Sequence, residues 1–111
     1  MTQALQEPAA VAVQNRDEVI ARLRAKEPAV RALGATALYL FGSAARDEMT
    51  GESDIDLYFD YVHERGFDYF ALCNMERLLA GALARPVDLV ARYGLHPVLR
   101  AGIEASALKI F

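Results

Sequence analysis

Three aspartates set in apolar surroundings carry the chemical interest of this sequence. Asp54 and Asp56 open the run Asp54-Ile55-Asp56-Leu57-Tyr58-Phe59-Asp60, and Asp88 interrupts Pro86-Val87-Asp88-Leu89-Val90. On a strand, residues two apart share a face, so Asp54, Asp56, Tyr58 and Asp60 lie on one side and Ile55, Leu57, Phe59 and Tyr61 on the other. The apolar side can enter a core. The acidic side has no such explanation, because carboxylates two apart on a rigid strand stand about 7 Å from each other, repel, and suit hard divalent cations.

Ten residues separate Asp54 from Gly42-Ser43, which ends the apolar run Ala37-Leu38-Tyr39-Leu40-Phe41. Gly42 has no Cβ, so the backbone can bend there and a bulky anion can come close, while Ser43 offers its N–H and hydroxyl to a phosphate. The stretch from Ser43 to about Asp47 predicts a short helix aimed N-terminus first at the same anion. Arg46 is the nearest cation, with Asp47 and Glu48 as competing ion-pair partners. A Gly-Ser or an Asp-X-Asp alone is usually structural. Their conjunction, at this spacing and with core-facing Ile55 and Leu57 between the acids, points to a cleft for metal and triphosphate.

The rest of the chain must position these groups. Residues 1 to 14, rich in Ala, Gln and Val, read as a mobile lead-in, and residues 15 to 111 as one domain. Asn15 is a candidate N-cap for a first helix carrying Val19, Ile20 and Leu23; Glu27-Pro28 opens a further turn, and Gly34 closes the unit. Glu48 to Ser53 is a connecting loop. Phe67, Phe70, Ala71, Met75, Leu78, Leu79 and Ala82 recur with a helical period, ending at Arg85-Pro86. Val87 to Val90 predicts a third strand, and Leu99, Ile103, Ala107 and Ile110 predict one helical stripe, covering the sheet, to the last residues. Arg22, Arg24, Lys26 and Arg31 read as a solvated face, Asp60 as solvated, Cys73 as core packing, His63 as a loop residue and His96 as a helix cap.

Composition narrows the function classes. With 54% hydrophobic and 24% charged residues, this is the balance of a folded soluble protein, and no apolar run is long enough for a membrane span or a signal peptide, which predicts a cytoplasmic location. The net charge of -3 arises as +1 over residues 1 to 34, -5 over 35 to 60 and +1 over 61 to 111. Excess acidity confined to the motif segment argues against stable nucleic-acid binding and suits a site completed by metal and triphosphate. One cysteine excludes an internal disulfide and a cysteine-based zinc cluster.

Gly-Ser, ten residues, Asp-X-Asp and a later Asp on a third strand together resemble the nucleotidyltransferase superfamily typified by DNA polymerase beta. Leu40-Phe41-Gly42-Ser43-Ala44-Ala45-Arg46 with Ser53-Asp54-Ile55-Asp56-Leu57 resembles more narrowly the minimal nucleotidyltransferases, the MNT antitoxins paired with HEPN-domain toxins. The resemblance runs from about Arg16 onward. It implies an α+β (mixed α/β) nucleotidyltransferase fold, a small mixed sheet flanked by helices. It also implies two Mg2+ ions held by Asp54, Asp56 and Asp88, with Asp88 orienting or deprotonating the acceptor hydroxyl, and ATP phosphates held by Gly42, Ser43 and Arg46.

The activity implied is that of a type VII-like antitoxin, moving AMP from ATP to a tyrosine of the HEPN toxin and releasing pyrophosphate. The chain departs from the family at Asp47, where glycine is usual, which sets a negative charge beside the proposed phosphate site. Two other readings use the same sequence: a non-catalytic antitoxin acting by occlusion, and the catalytic subunit of a two-subunit small-molecule nucleotidyltransferase. Three mutually repelling carboxylates count against pure occlusion. The small-molecule reading keeps the same metal site. In both catalytic readings the acceptor surface comes from another chain, since a core of this size leaves no residues for a recognition domain.

Overall fold

The computed structural model describes residues 11–111; the lead-in expected over residues 1 to 14 lies, for its first ten positions, outside the described residues. Strand β1 (Ala35–Phe41) pairs antiparallel with β2 (Ile55–Tyr61), and β2 pairs parallel with β3 (Val87–Ala91). A short β4 (Leu108–Lys109) completes a four-stranded mixed sheet in the order β3-β2-β1-β4. The expected mixed sheet with helices is therefore present, with β2 between β1 and β3.

One face of this sheet is the core. Leu38, Leu40, Ile55, Leu57 and Phe59 point into it and are almost fully buried, meeting Val19 and Leu23 of α1 (Arg16–Ala25), Val30 of α2 (Glu27–Ala32) and Met75, Leu79 and Leu83 of α4 (Tyr69–Leu83). The strict alternation of β2 is what commits its acids to the opposite face. Local signals set the helix ends: the Asn15 side chain accepts from the Glu18 N–H at 3.0 Å, and Gly34, at φ +114°, turns the chain out of α2. No helix among the described residues is long and apolar enough to cross a membrane.

Several expectations are corrected. Packing begins ahead of Asn15: Val13 is fully buried and its N–H bonds the Leu83 carbonyl at 3.1 Å. Asp68 caps α4 by accepting from the Phe70 N–H, so the helix starts late and Phe70 faces outward, 74% exposed. The basic face near α1 is largely spent on the backbone: Arg22 donates to Val11 and Ala82, Arg24 to Ile110 and Arg31 to Thr36 carbonyls. Cys73 is only half-buried, off the stripe that Met75, Leu79 and Leu83 bury.

The C-terminal stripe is split. Helix α5 (Pro97–Ser106) buries no residue, and the chain turns extended at Ala107 to form β4. The Ile110 N–H bonds the Leu38 carbonyl at 2.8 Å and Ile110 is buried, because the bare edge of β1 offers unpaired backbone groups that a helix cannot satisfy.

Candidate active site

Strand register brings the two motifs together. Phe41, the last residue of β1, is opposite Asp56 in the antiparallel ladder, so the turn beginning at Gly42 sits directly over that carboxylate. Gly42 is at φ +74°, and a Cβ there would collide with the Asp56 carboxylate. Glycine is thus required twice, by backbone conformation and by close approach. It opens α3 (Gly42–Ala45), a single turn that carries Ser43 half-buried beside it and sends Ala44 and Ala45 into the core.

Across the sheet, Asp56 is the register partner of Asp88 on the parallel strand β3. Both side chains therefore stand on the acid-bearing face. Asp54 lies just ahead of β2, close enough to act on Asp56. The Asp56 carboxyl is pushed above its ordinary value, first by burial, then by the charges of Asp88 and Asp54; Arg46 opposes this. Arg46 itself pairs with Glu48 at 2.7 Å, with both side chains about 60% exposed, so the pair is weak enough to yield to a phosphate.

Asp47 explains its own departure from the family. Its φ of +59° is the left-handed conformation in which glycine is easiest, and aspartate is among the few side chains that tolerate it. The carboxylate accepts from the Arg16 N–H at 3.0 Å, so it ties the start of α1 to the turn after α3.

The acidic face is less open than its sequence suggests. Tyr58 is 1% exposed, stacked on Tyr39 with ring centres 4.6 Å apart. The Arg92 guanidinium lies over both rings, 4.9 Å from Tyr39 and 5.1 Å from Tyr58. Asp60, expected to be solvated, instead receives two bonds from Arg92, at 2.7 and 2.8 Å, and Glu104 of α5 receives a third at 2.7 Å. Arg92 follows β3 at the same alternation as Asp88 and Val90, a signal present in the sequence but visible only once β3 is placed beside β2. It fastens α5 over the sheet and takes Asp60 out of any catalytic set. His96 caps α5 as expected, its Nδ1 accepting from the Val98 N–H, and His63 stacks on Tyr61.

A buried cation that sequence reading missed holds the approach to Asp54. Arg85, 8% exposed, donates to the carbonyls of Val13 (2.9 Å), Thr50 (2.6 Å) and Ser53 (3.2 Å), anchoring the loop that delivers Asp54.

Among the described residues no three His, Cys, Asp or Glu side chains form a group able to hold an ion. Repulsion among uncompensated carboxylates keeps such a set open, and Mg2+ sites are usually completed by substrate phosphates rather than built as protein cages. The donors that are present fit that description: hard oxygens, mutually repelling, with Asp56 electrostatically short of positive charge. Phe41, Gly42 and Arg46 also form one wall of a cleft of about 270 Å³, with Leu99, Ile103 and Ser106 of α5 on the other; none of the three acids lines it.

Known proteins share this arrangement. Residues 24–111 match the family model described as Polymerase beta, Nucleotidyltransferase. A candidate protein adenylyltransferase of Methanocaldococcus jannaschii is 35% identical over 72 residues, which cover 64% of this chain and 71% of that one. The solved structure of a candidate minimal nucleotidyltransferase superposes with a TM-score of 0.65 at 32% identity, over 80% of this chain and 93% of that one. A toxin–antitoxin pair solved with AMP-PNP follows, at a TM-score of 0.62 and 27% identity, over 87% of this chain and 73% of the other. With a glycine-serine turn above one strand aspartate and a second aspartate in register beside it, this chain belongs to the polymerase beta nucleotidyltransferase family and is similar in structure to a minimal nucleotidyltransferase.

Proposed function

We propose that this protein is an antitoxin that transfers AMP from ATP to a tyrosine hydroxyl of a HEPN-domain toxin. The observation that carries the reading is the juxtaposition of Gly42, Asp56 and Asp88: a tight glycine turn, directly above one carboxylate and one strand from another. Its likeness to a protein adenylyltransferase and to a toxin–antitoxin pair solved with an ATP analogue supports the donor and the partner class.

In this reading the Gly42 and Ser43 N–H groups and the Ser43 hydroxyl hold the terminal phosphates, and Arg46 leaves Glu48 to neutralise them. Asp54, Asp56 and Asp88 would hold two Mg2+ ions; when bound, these ease deprotonation of the attacking hydroxyl and offset charge on the leaving pyrophosphate. Asp88 orients the tyrosine hydroxyl and accepts its proton. The tyrosine oxygen forms a bond to the α-phosphorus, the bond from that phosphorus to the bridging oxygen of pyrophosphate breaks, and pyrophosphate leaves.

The test is incubation with the HEPN-domain partner, ATP and MgCl2, followed by intact mass. Addition of AMP units to the partner is the expected result. An unchanged partner mass, with the toxin nonetheless silenced, would favour occlusion.

A further inference from the structure

β3 is the outer strand of the sheet, and among the described residues no strand pairs with its free edge. The Ile55 N–H bonds the Pro86 carbonyl at 3.0 Å, which fixes the phase of the parallel ladder. Asp88 and Val90 therefore turn their N–H and C=O groups toward β2, while Val87, Leu89 and Ala91 turn theirs outward. Such edges are commonly blunted by charge, proline or a covering element. Within β3 the one charged residue is Asp88, already assigned to the site, and Pro86 stands just before the strand.

Beside this edge runs a groove of about 360 Å³, lined by Cys73, Glu76, Arg77 and Ala80 of α4 and by Pro86 and Val87. Spacings of three and four put those α4 residues on one stripe. Tyr69, four residues before Cys73, extends the same stripe beyond the groove and is 70% exposed. The edge thus combines unpaired backbone donors and acceptors with a side-chain groove carrying one acid and one base.

Resting on the reading that the acceptor is a protein hydroxyl, we infer that the acceptor protein docks by adding an extended segment to the free edge of β3. Main-chain bonds to Val87, Leu89 and Ala91 supply affinity, and the groove beside Glu76 and Arg77 receives alternate side chains. Docking and catalysis then share one strand. In an antiparallel addition Asp88 occupies a non-hydrogen-bonded pair, where facing Cα atoms are about 4.5 Å apart and side chains are closest. The residue opposite Asp88 projects on the acid-bearing face, which sets its side chain on the same side of the sheet as the Asp88 carboxylate.

Ala91→Pro tests this directly. Ala91 is at φ -68°, which proline adopts, and its N–H points away from β2, so the change removes an edge donor and leaves the β2 ladder intact. The KM for the HEPN-domain acceptor should rise about tenfold, while kcat and AMP-PNP affinity stay at wild-type values. In the wild-type chain, NMR-detected amide exchange on saturation with that acceptor should slow at Val87, Leu89 and Ala91 and stay unchanged at Asp88 and Val90. An unchanged KM in the variant, or exchange at those three amides that the acceptor does not slow, overturns the proposal. Failure of the wild-type chain to label any acceptor overturns the functional reading instead, and the alternating exchange pattern then decides the edge by itself.

Discussion

Asp56 and Asp88 stand side by side as register partners on neighbouring parallel strands; burial first, and then the Asp88 charge, push the Asp56 carboxyl above its ordinary value. A carboxyl whose pKa is raised by folding is stabilising only while protonated. The stability it contributes is present below the ordinary value of 3.8 and is lost as pH rises through the raised folded value.

Asp88→Asn should therefore move the Asp56 titration back toward the ordinary range, read by carboxyl carbon NMR. Asp56→Asn should raise the neutral-pH melting temperature and flatten its decline above pH 3.8. An Asp56 titration unmoved by loss of Asp88 would mean that the two side chains do not share a field.

The same substitutions should abolish function while sparing the fold. Transfer of labelled AMP is expected to drop about 10²- to 10⁴-fold in Asp88→Asn, the usual span for loss of a positioned acid–base group, and at least as far in Asp56→Asn. Partner binding by size-exclusion chromatography should persist. Transfer at wild-type rate by either variant would remove the acids from the mechanism.

Gly42→Ala should cost stability and nucleotide binding together. The left-handed conformation alone costs about 1–2 kcal/mol for a residue with a Cβ, and here the methyl also meets the Asp56 carboxylate. Gly81→Ala is the control: it lies within α4 with open space around it and should stabilise by about 0.5–1 kcal/mol. Urea unfolding and AMP-PNP titration of the two variants make the comparison.

Arg85→Met keeps most of the side-chain volume and removes the bonds to the Val13, Thr50 and Ser53 carbonyls. Urea unfolding should show a loss of about 1–3 kcal/mol, the scale of carbonyls left without a charged donor. Because Thr50 and Ser53 lead into Asp54, AMP-PNP affinity in Mg2+ should also fall.

Asp47→Gly should be close to neutral in stability, within about 1 kcal/mol, since relief of left-handed strain offsets the lost bond to the Arg16 N–H. Nucleotide affinity should hardly change. A marked gain in affinity would show that the Asp47 charge acts on the phosphates after all.

Strands β1, β2 and β3 and several helix boundaries were legible in the sequence because they depend on local patterns: alternation in β2, a glycine ending β1, Asn15 and His96 at helix starts. The errors fall where a distant partner outweighs local preference. Phe70 fits the helical stripe but lies outside it once Asp68 sets the first turn. Asp60 matches a solvated residue until Arg92, thirty-two positions later, reaches it from just past the end of β3. Ile110 continues an apolar period yet belongs to a strand, because the edge of β1 needs hydrogen-bond partners.

By itself, the sequence determined which side chains could do chemistry and on which face of β2 they stand, since both follow from residue type and a two-residue period. Only the tertiary structure decided that Asp56 is beside Asp88 and beneath Gly42, that Asp60 is ion-paired to Arg92, and that among the described residues no strand covers the far edge of β3. Strand order and ion pairing are settled by contacts between residues far apart in the chain, and no local pattern records them.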